Sequence, residues 1–509
     1  MKPGKVYLIG AGPGDPGLIT VKGQACIHAA DVVIYDYLAA PALLAHASAE
    51  AEMIYVGKKG GDHTLPQGGI NALIIEKARQ GLMVARLKGG DPYIFGRGGE
   101  EAEELVAAGI PFEVVPGVTS AVAGAAYAGI PLTHRDFTST LAFVTGHEDP
   151  TKSSSSIDWK ALATGIGTLV FFMGVKNLPL ISDQLQANGM DPETPVALVR
   201  WGTTTRQKTV TGTLATIVDI ARQAGLKAPA IIVVGKVVHL RERLAWFEER
   251  PLFGRTVVVT RARAQASDLV ARLTELGANC LEYPTIEVVP TENTQPLDDA
   301  IRNMSAYDWL VFTSVNGVKY FFERLFALGE DVRALHHVRT AVIGPATAGL
   351  LREHGLRSDI VPASYRAESV VEAFADEKVA GRRILLPRAA EARPILPEEL
   401  ARMGAQVDEI AVYHTRRVTE GAAALVDDLE NNRVDMVTFT SSSTVRHFHQ
   451  MLPAGRQNAL MARVRTASIG PITTETAASL GFQVNITADE YTIPGLCDAI
   501  LADLANSSD

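Results

Sequence analysis

The chain has 509 residues, 47% apolar and 21% charged, with a formal net charge of −9 and no long run of lysine or arginine. That composition excludes a disordered or fibrous chain, and the acidic balance excludes a general nucleic-acid surface, which needs a basic footprint. Roughly 150 residues per domain points to three or four domains, and the scattered Cys26, Cys280 and Cys497 form no CxxC pair for a zinc or disulfide framework.

In chain order, the first element is "VYLIGAGPGDPGLIT" at 6–20, an apolar strand running into a glycine turn, followed by "VVIYD", which closes on Asp36. A dinucleotide fingerprint would want Gly-x-Gly-x-x-Gly. Gly10 and Gly12 fit, but position 15 is Asp, and Pro13 removes an N–H that a pyrophosphate would use. VYLIG is too short for a secretion-signal core and no stretch reaches the ~18 apolar residues of a membrane span, so a soluble cytoplasmic protein with no membrane partner is expected.

Next comes "MVARLKGGDPYIFGRGGEEAEEL", which places Gly89, Gly90 and Asp91 after a strand and then opens a helix. Glycines let backbone approach a ligand, and Asp91 can accept its hydrogen bonds while repelling a phosphate. A nucleoside with a positive centre fits better. Glu100 and Glu101 read as charges complementing the helix dipole. "VVPGVTSAVAGAAYAG" then gives a Pro-Gly turn, the hydroxyls of Thr119 and Ser120, and a helix of small residues suited to close packing. Those hydroxyls bind a ligand or cap the helix.

Near residue 245 the texture breaks at "RLAWFEERPLFGR", and beyond it the chain repeats itself. "GRTVVVTRA" at Gly254 recurs as "GRRILLPRAA" at Gly381, "DWLVFTS" at Asp308 as "DMVTFTS" at Asp435, and "VRTAVIGP" at Val338 as "VRTASIGP" at Val464. Two βα-rich units in the order A-B-A-B imply two similar lobes with a cleft between them, each offering an FTS and an IGP loop after a strand, where open α/β sheets bind ligands. The alternative for IGP is a plain chain turn.

Taken together, "VYLIGAGPGDPG", "VIYDYL", "VGKKGGDH", "KGGDPYIFGRGGEE", "VVPGVTSA", "GIPLTHR", "FFMGV" and "PAIIVVGKVV" resemble the tetrapyrrole methyltransferases over about residues 4–245, specifically the uroporphyrinogen-III C-methyltransferases. The resemblance implies two α/β subdomains, about 1–135 and 136–245, binding S-adenosylmethionine. Cofactor contacts then fall on Pro13, Gly89, Gly90, Asp91, Ile94, Thr119, Ser120, Met173, Gly202 and Ala230. Asp36 becomes proton acceptor and Lys58 proton donor, with His134 and Arg135 placed to bind substrate carboxylate. The plainer readings are a turn residue, a solvated basic loop and a structural histidine. Many relatives carry Arg after the aspartate; here it is Tyr37, which removes a carboxylate clamp.

Residues 252–509 resemble uroporphyrinogen-III synthase, implying flavodoxin-like lobes of about 252–290 plus 416–509 and about 291–415. Tyr413 matches the tyrosine expected to assist the leaving group; the alternative is a hinge tyrosine. Thr313, Ser314, Gly344, Thr440, Ser441 and Gly470 are candidate binders of acetate and propionate groups. Arg261 and Arg388 join them because guanidinium matches carboxylate in bidentate fashion, unless they are surface ion-pair residues.

The expected protein is α/β throughout: by the resemblance, a bifunctional enzyme that cyclises hydroxymethylbilane to uroporphyrinogen III with inversion of ring D, without a cofactor, and methylates it twice with S-adenosylmethionine to precorrin-2, for sirohaem or cobalamin. No metal or nucleic-acid partner is expected, and the family implies a homodimer through the methyltransferase half. The rival readings are a methylase of a later corrin or of RNA, and a C-terminal tetrapyrrole sensor.

Overall fold

The computed structural model describes residues 3–57, 65–147, 157–261, 263–364, 367–418 and 421–506. The chain divides into two compact units, Met1–Arg255 with Leu273–Asn279, and Thr256–Arg272 with Cys280–Asp509. Both are α/β, built from four five-stranded sheets with helices packed on them.

The first sheet holds β1 (Val6–Gly10), β2 (Val32–Tyr35), β3 (Glu52–Tyr55), β4 (Val84–Lys88) and β5 (Phe112–Val115), in the order β3-β2-β4-β1-β5. Every pairing is parallel. Central parallel strands are covered on both faces and so read as continuous apolar runs. β4 breaks that rule, since Arg86 and Lys88 are buried within it.

The second sheet holds β6 (Leu141–Thr145), β7 (Thr168–Phe172), β8 (Pro195–Arg200), β9 (Lys208–Thr213) and β10 (Ala230–Val234), in the order β6-β7-β10-β8-β9. Only β6–β7 is parallel. The helix Ser120–Tyr127 follows β5 directly, yet its Ala121 and Ala125 are buried with Val170, Val199, Ile231 and Val233 of this second sheet. A chain cut at 135 therefore does not describe the packing: that helix covers the neighbouring subdomain.

The charged stretch after 245 is part of the first unit. Trp246 Nε1 donates to the Ala126 carbonyl (3.0 Å), and Phe247 is buried against Tyr127 and Phe253. Glu248 accepts from Gln207 (2.7 Å), Thr209 (2.5 Å) and Arg241 (2.6 Å). Glu248 is paired inward and Phe247 is buried, so what reads as a linker is structure, and the unit runs to Arg255 rather than ending at 245.

In the second unit lie β11 (Thr256–Val259), β12 (Asn279–Glu282), β13 (Ile286–Pro290), β14 (Trp309–Phe312), β15 (Arg339–Val342), β16 (Arg383–Ala389), β17 (Gln406–Arg417), β18 (Met436–Phe439), β19 (Arg465–Ser468) and β20 (Ile486–Thr487). One sheet runs β12-β11-β18-β19-β20, the flavodoxin-like order 2-1-3-4-5; the other runs β13-β17-β16-β14-β15. Each lobe therefore combines the A segment of one repeat with the B segment of the other: β16 and β17 stand beside β14 and β15 as β11 and β12 stand beside β18 and β19. β13 pairs antiparallel with β17, so the chain changes lobe before 286, earlier than the expected 290. No helix among the described residues is long and apolar enough to cross a membrane.

Candidate functional site

At the C-terminal edge of the first sheet, glycines let three loops touch. Gly12 and Gly90 exchange backbone hydrogen bonds (3.2 and 2.7 Å), and a Cβ at Gly10 would stand 2.4 Å from the Gly117 Cα. Asp91 ties the cluster: one carboxylate oxygen accepts from Gly117 N (3.0 Å), the other from Tyr93 N (2.8 Å). Gly90 has φ +71°, and its missing side chain faces the backbone of Thr119 and Ser120. Thr119 is the N-cap residue, but its hydroxyl makes no capping bond. The glycines that imitate a dinucleotide turn thus serve loop-to-loop contact. Asp15, which spoils the fingerprint, joins the β1 loop to the β8 loop. It caps a short turn and accepts from Tyr127 (2.7 Å), and its N–H donates to the Thr203 hydroxyl (2.9 Å).

Gly89 is held against the β2 loop, where its Cβ would meet Leu38 Cβ at 2.4 Å. Two residues before Leu38 is Asp36. Its Oδ1 accepts from Leu38 N (3.1 Å) and its Oδ2 from Arg86 Nη2 (3.2 Å). Arg86 leads inward to Glu101 (3.4 Å), which also takes Lys88 Nζ (2.6 Å) and Gln67 Nε2 (3.1 Å). Burial pushes the Lys88 ammonium below its usual value, with Glu101 opposing the shift. Glu101 is 1% exposed, so its reading as a helix-end charge is corrected: it neutralises two buried cations. Glu100, by contrast, pairs at the surface with Arg97 (2.6 Å). The missed signal was in β4, where Arg86 and Lys88 alternate within an otherwise apolar run and require a buried anion.

Strained backbone occurs on both sheets: Phe95 (φ +53°), in the loop after β4, and Met173 (φ +54°), Trp201 (φ +49°) and Thr203 (φ +70°), after strands of the second sheet, all occupy the left-handed region, which costs a non-glycine residue of order 1 kcal/mol or more. Phe95 packs on Phe172 with centroids 5.0 Å apart, and Met173, which follows Phe172, is 53% exposed. Gly202 lies on the helix Ser120–Tyr127, its Cβ position 2.9 Å from the Gly124 Cα. Pro13 sits in the joined β1 loop, and Ala230 pairs with Arg200 at the end of β8. The polar groups on these loops are the accepting Asp91 carboxylate, hydroxyls and backbone groups, a set that suits a sulfonium-bearing nucleoside better than a polyphosphate.

Lys58 lies outside the described residues. His134 accepts from Asp136 N (3.1 Å) within its own turn and packs on Phe137, while Arg135 is exposed beside it. No contact among the described residues joins either to the loops above.

In the second unit, Ser314 follows β14 and caps the helix Val315–Ala327, accepting from Gly317 N (3.0 Å). The same hydroxyl lies 2.9 Å from the Tyr413 phenol, which is 8% exposed within β17. Ser441 repeats the cap on the helix Ser442–Met451. Both FTS serines are thus helix caps first. Thr313 and Thr440 precede them, and Gly344 and Gly470 stand at the N-termini of the helices Pro345–Glu353 and Pro471–Ser479. Arg261 follows β11, its pKa lowered by burial. Arg388 is not a surface ion-pair residue: its side chain is 5% exposed, bonded to the Arg393 carbonyl (2.8 Å) and 3.5 Å from Glu409, and its Nε has no hydrogen-bond partner among the described residues. No group of His, Cys, Asp and Glu among the described residues has a metal-binding arrangement.

Two family models match: one described as tetrapyrrole (corrin/porphyrin) methylases over residues 5–218, and one described as uroporphyrinogen-III synthase HemD over residues 267–498. The porphyrin biosynthesis protein HemD of Ruminiclostridium josui is 38% identical over 501 residues, 98% of either chain. The S-adenosyl-L-methionine-dependent uroporphyrinogen III methyltransferase of Methanosarcina barkeri is 55% identical over 241 residues, 47% of this chain and 94% of that one. A solved uroporphyrin-III C-methyl transferase from Thermus thermophilus, complexed with S-adenyl homocysteine, is 39% identical and covers 47% of this chain and all of its own, with a TM-score of 0.40.

Proposed function

Because the chain belongs to the family that joins a tetrapyrrole methylase to a uroporphyrinogen-III synthase, we infer that it is a bifunctional enzyme of tetrapyrrole biosynthesis. Its C-terminal half makes uroporphyrinogen III, and its N-terminal half methylates that product with S-adenosylmethionine. The observation that carries the methyl-transfer reading is the contact of Gly89 with Leu38, which sets the Gly90–Asp91 ligand loop beside Asp36 on one sheet edge.

When bound, S-adenosylmethionine supplies an electrophilic methyl group on a sulfonium. The Asp91 carboxylate favours that positive centre, Gly90 and the Thr119 hydroxyl offer close polar contact, and Ile94 and Met173 exclude water. Methyl transfer to a pyrrole carbon depends mainly on alignment. Asp36, held by Arg86 and the Leu38 N–H, takes the proton that the ring must lose, with Lys58 as the proposed donor. In the other half Tyr413 gives its proton to the departing hydroxyl of hydroxymethylbilane, Ser314 holding the phenol. Thr313, Thr440, Ser441 and the helix N-termini at Gly344 and Gly470 receive carboxylates, with no cofactor. Precorrin-2 as product, a cytoplasmic location, a homodimer through the N-terminal half, and the absence of nucleic-acid and membrane partners complete the proposal.

Calorimetric titration of the full chain with S-adenosylmethionine tests it. The wild type binds, Asp91→Ala binds at least about tenfold more weakly, a loss of about 1.4 kcal/mol, and NAD gives no heat. A wild type that binds NAD and ignores S-adenosylmethionine refutes the reading.

A further inference from the structure

We propose that Arg206 is the substrate-carboxylate clamp of the methyltransferase half, held in place by Trp201. The proposal rests on the methyltransferase reading and adds a specificity residue to it.

Arg206 is exposed, and among the described residues it forms no ion pair. Its guanidinium carbon instead lies 4.5 Å from the centroid of the Trp201 ring. Stacking engages the face of a guanidinium and leaves its N–H donors, which radiate in the plane, free for a bidentate acceptor. Trp201 in turn meets the Tyr37 ring, with centroids 5.8 Å apart at 69°. Tyr37 directly follows Asp36, so the row Tyr37, Trp201, Arg206 starts beside the proposed proton acceptor and ends in an exposed cation.

The row is fixed. Trp201 and Thr203 hold left-handed backbone, and Thr203 is pinned by its N–H to Gln207 Oε1 (2.8 Å) and by its hydroxyl to Asp15 N (2.9 Å). Uroporphyrinogen III carries acetate and propionate groups round its ring, and a protein of net charge −9 has to attract such a polyanion through local cations. An arginine after Asp36 would do so directly. Tyr37 cannot, but its ring seats the tryptophan on which Arg206 rests.

Steady-state kinetics of the full chain at saturating S-adenosylmethionine, with calorimetric S-adenosylmethionine binding alongside, test the proposal. Arg206→Ala is expected to raise KM for uroporphyrinogen III about tenfold, with kcat within about twofold of wild type, as loss of one charge-assisted pair would. S-adenosylmethionine affinity stays unchanged, and the salt dependence of KM becomes shallower. Tyr37→Arg placed in the Arg206→Ala chain lowers KM again. An unchanged KM in Arg206→Ala overturns the proposal, as does a rise matched by an equal loss of S-adenosylmethionine affinity, which would mark a collapsed loop. A wild type that binds S-adenosylmethionine but never turns over uroporphyrinogen III removes the underlying reading, and the clamp with it.

Discussion

Beneath the C-terminal edge of the first sheet lie four ionisable side chains in one chain of contacts, Asp36, Arg86, Glu101 and Lys88. At the corresponding edge of the β14 sheet the contact is between two hydroxyls, Ser314 and Tyr413, at a helix N-terminus. The difference follows the chemistry assigned to each half. Proton removal beside a cationic ligand calls for a carboxylate held in one orientation, and fixing it on a buried strand entails burying its partners too. Assisting a leaving hydroxyl needs one donor and a shaped cleft, which capped helix ends supply, and the buried Arg388 of that sheet stands apart from the Ser314–Tyr413 hydrogen bond.

The contrast is broken most severely at Glu101. Glu101→Ala leaves Lys88 buried without its anion and Arg86 with Asp36 alone, which costs about 3–5 kcal/mol; urea unfolding of the full chain should show the first unit melting early while cyclisation persists. Next in size is Tyr413→Phe, expected to slow cyclisation about 10²-fold with methyl transfer intact. Ser314→Ala, read by the same assays, costs about 1 kcal/mol through the lost cap, with a smaller loss of cyclisation rate. The smallest effect concerns pH. Burial lowers the Lys88 pKa from its usual 10.5, so between the two values the unfolded chain binds more protons and stability rises with pH. That rise is complete near 10.5. Lys88→Met should flatten it, as melting temperatures across the alkaline range would show.

The alternation of apolar runs and helical patterns, the glycine loops and the internal repeat were legible because each is written in contiguous residues. Glu101 was not: a carboxylate in the first turn of a helix looks the same whether it faces water or Lys88, which lies in the preceding strand. The burial of Arg388 was hidden for the mirror reason, since an arginine near the end of a strand carries no mark of Glu409 and the Arg393 carbonyl beside it. β13 follows the first A segment without a break, and only its antiparallel register with β17 shows that it has already crossed to the other lobe. Tyr37 reads as a loss in sequence; the fold places it under Trp201, and Trp201 under Arg206.

The account's central claim is that one chain carries both reactions in succession. Supplying the full-length protein with hydroxymethylbilane and S-adenosylmethionine, and following the product by mass and absorbance, tests it most directly. The account predicts a ring-inverted macrocycle bearing two added methyl groups. A product that is only the non-inverted ring, or an inverted ring that gains no methyl group, would contradict it.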